Sequence, residues 1–388
     1  MARLGDVCFK ITDGSHNPPQ GVSASEYLML SSKNIFDDVI TLDDPRYLSK
    51  EDFELENKRT QIATGDILLT IVGTVGRAAV VPDLAHNICL QRSVAVLKPK
   101  SETVLPRYLM YQLQSMRAKL EKEAKGVAQK GIYLKQVENL PIRVLSMDEQ
   151  TEIVSSLDIV SNLLSLRKQQ LAKLDELVKA RFVELFGDPE NNNKGWPVRA
   201  LGELCSVGSS KRVYQNEQSA KGVPFWRISD LVSKMDTGTV DSELFIPEEK
   251  YSELEKAGLV PTAGDILVTS RGTLGRCYII KEEDRFYFQD GMISWLSKYT
   301  GGVTPLYLQY LFMMSGFRKQ IDSMQSGSTV AYLSIAMLKK LRVMVPKKDV
   351  QETFAIFVAQ TDKSKFAVQQ SIEKLETLKK SLMQQYFG

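Results

Sequence analysis

Several short groups of residues have the types and spacing that chemistry needs. Asn17-Pro18-Pro19-Gln20 resembles the Asn/Asp-Pro-Pro-aromatic tetrad that amino-methyltransferases set against a target base. Gln20 stands where an aromatic ring would stack on a flipped base, and no Gly-x-Gly strand-turn-helix site for S-adenosylmethionine accompanies it. Glu56-Asn57-Lys58 and Glu248-Glu249-Lys250 fit the Glu-x-Lys tail of a metal nuclease, but neither follows a Pro-Asp strand. His16 and His86 are 70 positions apart with no evident nucleophile, and Cys8, Cys89, Cys205 and Cys277 form no Cys-x-x-Cys pair. That spacing predicts reduced thiols rather than a zinc site or a disulfide framework. Gly65-Asp66-Ile67-Leu68-Leu69-Thr70, continued by Gly73-Thr74-Val75-Gly76-Arg77, is glycine-rich, yet it lacks the Lys-Ser/Thr that closes a phosphate loop. These patterns predict a chain that performs no covalent chemistry itself, with no catalytic residues and no metal site.

The glycine-rich stretch matters because it occurs twice. Gly264-Asp265-Ile266-Leu267-Val268-Thr269 and Gly272-Thr273-Leu274-Gly275-Arg276 repeat it 199 positions later, identical at nine of thirteen positions. Each copy reads as a strand entered through a Gly-Asp turn and left through a second tight turn. Other echoes surround it. Leu4-Gly5-Asp6-Val7-Cys8 matches Leu201-Gly202-Glu203-Leu204-Cys205. Tyr27–Leu30, leading to Lys33-Asn34-Ile35, matches the strand-like run from Pro224 to Leu231. Ile88–Val96 and Phe286–Ser294 read as strands with a central polar pair, Gln91-Arg92 or Gln289-Asp290. A helical pattern follows in each copy. A glycine-bearing loop then precedes Tyr133-Leu134 or Tyr332-Leu333, and each copy closes on Ile142-Arg143-Val144 or Leu341-Arg342-Val343, again 199 apart.

Both copies run into a long helix. Ile153, Leu157, Val160, Leu164, Leu171, Leu174, Val178 and Leu185 recur at steps of three and four with one gap at Arg167, which is a coiled-coil seam. Phe354, Phe357, Val368, Ile372, Leu375, Leu382 and Tyr386 trace the second stripe. Each stripe needs an apolar partner, and the other stripe is the nearest. The predicted fold is a duplicated α/β (α+β) architecture: two globular domains separated by two long antiparallel coiled-coil helices. Its boundaries are 1–147 for the first globular domain, 148–187 for the first helix, 188–197 for a polar linker, 198–348 for the second domain and 349–388 for the second helix.

Composition narrows the partners less than the pattern does. The 388 residues are 43% hydrophobic and carry a formal charge of +3, so bulk charge does not announce a nucleic-acid binder. Residues 37–56 are acidic and residues 117–143 lean basic. No run approaches the roughly eighteen apolar residues of a membrane span, and the start has no apolar signal core. A soluble, cytoplasmic protein with no membrane partner is expected.

The duplicated Gly-Asp-Ile-Leu-x-Thr-x-x-Gly-Thr-x-Gly-Arg signature, the Asp13-Gly14-Ser15-His16 start and the helix opening near Asp148-Glu149-Gln150 resemble the DNA sequence-specificity subunit of Type I restriction–modification systems. The resemblance covers essentially the whole chain. One departure is that Val207-Gly208-Ser209-Ser210 stands where a second Asp-Gly-x-His would be. The resemblance implies two target-recognition domains, each reading one half of a bipartite, asymmetric site in double-stranded DNA. Spacer helices would set the separation and dock two methyltransferase subunits. Restriction/translocase subunits would join in the full complex. S-adenosylmethionine, ATP and Mg would belong to those partners, with no cofactor on this chain. Base reading needs Arg, Lys, Asn, Gln or Asp on strand ends and loops. The candidates are Lys33, Asn34, Gln91 and Arg92 in the first copy, and Arg227, Asp230, Arg271, Gln289 and Asp290 in the second. Arg77 and Arg276 share one place in the repeat, which suits phosphate contact. Lys125, Gln129, Lys130, Ser326, Ser328 and Thr329 are loop candidates for the DNA backbone. Two other readings stay open: a protein-interaction scaffold that binds no DNA, and an autonomous adenine methyltransferase using Asn17-Pro18-Pro19.

Overall fold

The computed structural model describes residues 1–83, 87–124, 131–325 and 331–388. His86, Lys125, Gln129, Lys130, Ser326, Ser328 and Thr329 therefore lie outside the described residues. The chain divides into two compact units, residues 1–169 with 369–388 and residues 170–368. Each unit thus holds one globular domain plus part of both long helices, which a linear division of the sequence does not express.

In the first unit a four-stranded antiparallel sheet runs in the order Cys8–Asp13, Val94–Pro99, Ile67–Thr70, Ala78–Val80. A second sheet places Tyr27–Leu30 between Arg46–Leu48 and Asn87–Leu90, the last pair parallel. The second unit repeats this topology with Ser206–Gly208, Ile293–Ser297, Ile266–Thr269 and Cys277–Ile279, then Phe245–Ile246, Val223–Trp226 and Tyr287–Phe288. The signature is structural throughout. Gly65 and Gly264 both have φ of +87°, a left-handed conformation that glycine adopts freely. Asp66 and Asp265 each accept the backbone N–H three residues earlier, at 2.9 Å in both. The buried hydroxyls of Thr70 and Thr269 accept the N–H of Arg77 and Arg276 and close the second turn.

Four sequence expectations change. The strand beginning at Val223 stops at Trp226, and Ile228–Thr237 is a helix. Gln91-Arg92 and Gln289-Asp290 do not lie within one strand; they occupy the turn where the chain leaves one sheet for the other. The closing segments are 201 apart, not 199. Leu4 donates to the Leu140 carbonyl and Leu201 to that of Leu341, so Ile142 corresponds to Val343. The second unit gains two residues after the helix pair beginning at Pro106 and Pro305, and the similar Ile-Arg-Val and Leu-Arg-Val triplets concealed it. Finally, Gly208 pairs with Trp295 as Thr12 pairs with Val96, which puts Ser209, not Val207, at the place of Asp13.

The long helices are Met147–Phe186 and Lys348–Phe387, 40 residues each, about 60 Å at roughly 1.5 Å per residue. Within the first unit Ile153 and Leu157 share a core with Leu382, Met383, Tyr386 and Phe387, and Lys168 pairs with Glu376 at 3.4 Å. Within the second, Phe182 and Phe186 pack on Phe354 with ring centroids 5.5 and 5.4 Å apart, and Asp175 pairs with Lys365. In both units the two helical segments run antiparallel. Of the predicted seam, Ile153, Leu157, Val160, Leu164, Val178, Val368 and Ile372 are buried, and Leu171, Leu174, Phe357, Leu375 and Leu382 are half-buried. After Val178 the stripe continues through fully buried Phe182 and Phe186 rather than Leu185.

A buried glutamine fixes the start of each helix to its domain. Gln150 accepts from the Leu105 N–H at 2.8 Å and donates to the carbonyls of Thr103 and Leu145 at 3.0 and 2.9 Å. Gln351, 201 residues on, accepts from Thr304 and donates to Gly302 and Pro346. Buried polar groups are as a rule paired, and in both glutamines the side-chain oxygen and nitrogen are.

Candidate nucleic-acid interface

The Asp-Gly-x-His segment builds the tip of the first unit. Asp13, 6% exposed, accepts from the Arg59 guanidinium and from Nε2–H of His16 at 2.8 Å. A Cβ on Gly14 would lie 2.1 Å from the Leu90 carbonyl oxygen, so no side chain fits there. Ser15 donates its N–H to that same carbonyl at 2.7 Å, and Arg92 donates its own N–H back to the Ser15 carbonyl at 2.9 Å. Gln91 is anchored by its N–H on the Leu30 carbonyl. The backbone bearing Gln91 and Arg92 is thereby fixed at the sheet edge. Two adjoining clefts of about 430 and 420 Å³ share His16, Val72 and Arg92. Exposed Arg92 has no side-chain hydrogen bond or ion pair among the described residues.

The second unit shares the glutamine anchor but not the turn that follows it. Gln289 donates its N–H to the Trp226 carbonyl at 2.9 Å, as Gln91 does to Leu30. Asp290 follows that glutamine as Arg92 follows Gln91, but Ser270 donates to the Met292 carbonyl where Ile71 donates to Ser93, so the second turn holds one more residue; Asp290 pairs with Arg212 at 2.9 Å. Arg212 is three residues beyond Ser209, the distance of His16 from Asp13. The second tip thus has a carboxylate after its glutamine where the first has a guanidinium, and Arg212 stands where the register of the preceding strand places His16.

Other predicted site residues are committed within the fold. Asn34 and Asp230 are one element in two copies. Each is the third residue of a helical turn, and its side-chain oxygen accepts the N–H of the residue three earlier, Ser31 at 3.1 Å and Arg227 at 2.7 Å. They are 1% and 8% exposed, so these capping carboxyl and amide groups are not at the surface to meet a base. Arg227 pairs with Glu243 at 3.1 Å, and Lys33 pairs with Asp44, whose carboxyl that lysine holds below its usual range. Arg77 lies over the Phe36 ring at 4.9 Å, whereas Arg276 binds Asp236, holding that carboxyl low. Their common place in the repeat therefore does not bring a common set of partners. Arg271 is exposed, with its guanidinium 5.5 Å from the Tyr332 ring centre.

The sequences with enzyme-like spacing have structural partners too. The Pro19 carbonyl accepts from Arg46 at 2.7 Å. Asn57 lies in the helix Lys50–Thr60 and caps its end through its carbonyl to Gln61. Glu248 pairs with Arg285 and Lys250 with Glu217. The described residues contain no group of three or more His, Cys, Asp or Glu placed to hold a metal ion. All four cysteines are free; burial pushes the thiols of Cys8, Cys89 and Cys205 up to about 12. No helix among the described residues is long and apolar enough to cross a membrane.

Sequence reasoning missed one cluster. Asp158 on the first long helix accepts from Arg107 and from Tyr111 at 2.6 Å, and Asp38 takes Lys379 of the second helix at 2.8 Å. The equivalent places in the second unit hold Leu306, Ala359 and Val178. The polar tie of the first unit has no counterpart at these three places, where Val178 is buried, Leu306 half-buried and Ala359 exposed.

The model of the Type I restriction modification DNA specificity domain matches residues 24–176 and again 193–379. The chain belongs to that family. A putative type I restriction enzyme specificity subunit from Haemophilus influenzae is 27% identical over 226 residues, covering 54% of this chain and 52% of that protein. The type I restriction enzyme MjaVIII specificity subunit of Methanocaldococcus jannaschii is 23% identical over 350 residues, 85% of this chain and 80% of its own. The EcoBI specificity subunit of Escherichia coli is 32% identical over 159 residues, 39% of this chain and 33% of that one. The chain thus spans about half the length of the first of these relatives. The crystal structure of the type I system S subunit from M. genitalium shares the fold, with a TM-score of 0.54 at 15% identity over 98% of this chain and 94% of that one. Both copies of the family domain coincide with the duplicated topology described above.

Proposed function

We propose that this chain is the non-catalytic DNA-recognition subunit of a Type I restriction–modification complex, with each unit reading one half of a bipartite, asymmetric target. The observation that carries this reading is the tip: a glutamine anchored alike in both units, Gln91 on Leu30 and Gln289 on Trp226, is followed by Arg92 in the first and by Asp290, in a turn one residue longer, in the second. One scaffold with opposite charge at its edge suits two different half-sites. The long helices would set the unread spacer and dock two methyltransferase subunits. Apolar side chains left exposed on them support docking: Ile159, Leu163, Leu166 and Leu378 in the first unit, and Leu177, Val183, Ile356 and Phe366 in the second. S-adenosylmethionine, ATP and Mg would be bound by the partner subunits, and the assembly would act on DNA in the cytoplasm.

The test is a fluorescence-anisotropy titration of the chain with its modification subunits on duplex DNA across a range of salt. Log affinity should fall linearly with log salt, as phosphate contacts release counterions, by about 0.9 per contact. Affinity indifferent to salt would favour a protein scaffold. Methyl transfer by the purified chain alone would favour the autonomous enzyme.

A further inference from the structure

We propose that Arg92 is the specificity-determining residue of the first unit and that it selects guanine, through the O6 and N7 acceptors of the major-groove edge. The proposal rests on the DNA-recognition reading above and adds the residue, the base and the unit.

Three observations converge. The first is electrostatic. Among the residues lining the two clefts that share Arg92, the one acid is Asp13, and its carboxylate is covered by Arg59 and His16. Among the described residues this exposed guanidinium therefore has no acceptor, and it favours a ligand rich in acceptors. The second is rigidity. The Arg92 N–H is held by the Ser15 carbonyl, and Ser15 is held by Leu90 in the close approach that Gly14 permits. The base of the side chain is positioned before any ligand arrives, which lowers the ordering cost of binding. The third is the internal comparison. The second unit keeps the glutamine and its backbone anchor, but the turn after it is one residue longer and begins with Asp290, already paired with Arg212. A task common to both units, such as holding the phosphate backbone, would not invert its charge between them. A task that differs between two half-sites would.

Guanidinium groups bind two acceptor-rich partners on DNA, the guanine edge and the backbone phosphate. Both offer paired oxygen or nitrogen acceptors, and the assay separates them. The full chain in complex with its modification subunits is used to select from a duplex library randomised across both half-sites. Wild type is compared with Arg92→Ala and Arg92→Lys, and each is titrated with salt. The expected result is that Arg92→Ala loses preference at one guanine position of one half-site, by roughly 5- to 150-fold, with the other half and the salt slope unchanged. Arg92→Lys keeps the charge but not the planar fork, so it should also lose selectivity at that position.

A phosphate contact would behave otherwise. Arg92→Ala would weaken all sequences alike and lower the salt slope by about one, and Arg92→Lys would restore binding. That result, a loss at both half-sites, or relaxation at a position that is not guanine would overturn the proposal. Wild-type complex without any sequence preference would instead overturn the recognition reading, and this inference with it. Unchanged thermal unfolding of the variants, expected for an exposed and unpartnered side chain, separates lost recognition from lost folding.

Discussion

Replacing Gln150 by methionine keeps nearly the same volume and removes all three of its buried hydrogen bonds. The side chain is 0% exposed, and its partners are the Leu105 N–H and the carbonyls of Thr103 and Leu145. At about 0.5–1.5 kcal/mol net per bond, the loss is about 3 kcal/mol, and any partner left dry adds to it. With a urea slope of about 2 kcal/mol per molar, the unfolding midpoint of the first unit should fall by about 1.5 M. Gln351→Met should do the same in the second unit, and the double variant should be additive to within about 0.5 kcal/mol, because the two glutamines share no partner. Gln150→Glu gives the sign check. A carboxylate facing two carbonyls has its folded pKa raised, so its stability should be highest below the ordinary glutamate range and fall as pH rises through the folded value. Urea denaturation followed by circular dichroism measures all of these. A loss below about 0.5 kcal/mol in Gln150→Met would refute the idea that this glutamine clamps helix to domain.

Lys379→Met removes the ion pair to Asp38, whose side chains are 21% and 17% exposed, and should cost about 1–2 kcal/mol, between surface and buried pairs. Lys380→Met, on the exposed face, should stay within about 0.5 kcal/mol in the same melt. Cys8, Cys89 and Cys205, with thiols raised to about 12, should resist iodoacetamide at pH 8 in native protein, where about one in ten thousand would be thiolate, and react once unfolded, as read by mass spectrometry. Arg271→Ala should relax recognition in the half-site read by the second unit alone, measured by selection from a randomised library. Leu171→Glu or Leu375→Glu should broaden the tolerated spacer between half-sites; an unchanged spacer preference would refute the role given to the helices.

The duplication was legible because it is carried by residues with obligatory local tasks. Gly65, Asp66 and Thr70 recur as Gly264, Asp265 and Thr269 because the turn needs that backbone and those acceptors. The seam was legible because apolar periodicity survives wherever packing demands it, though Phe182 escaped because a smooth stripe could be drawn past it. The site was harder to read. Asn34 and Asp230 have side chains suited to bases, but the same oxygen also caps a turn, and only burial separates the two uses. Asp13 and Arg59 meet across 46 positions, and Asp38 and Lys379 across 341, distances at which sequence spacing carries no information about contact. Arg92 and Asp290 were visible as a polar pair beside each glutamine. Their relation needed the register, which shows a shared glutamine anchor followed by opposite charges in turns of different length.

Two units of common topology that read different halves of one DNA site would leave a bipartite methylation pattern. Mapping methylated adenines by long-read sequencing, in a host carrying this chain with its modification subunits, tests it most directly. The expected result is a single asymmetric motif in two parts, separated by unread positions of fixed number and absent when the chain is deleted. A contiguous or palindromic motif, or methylation that persists without the chain, would contradict it.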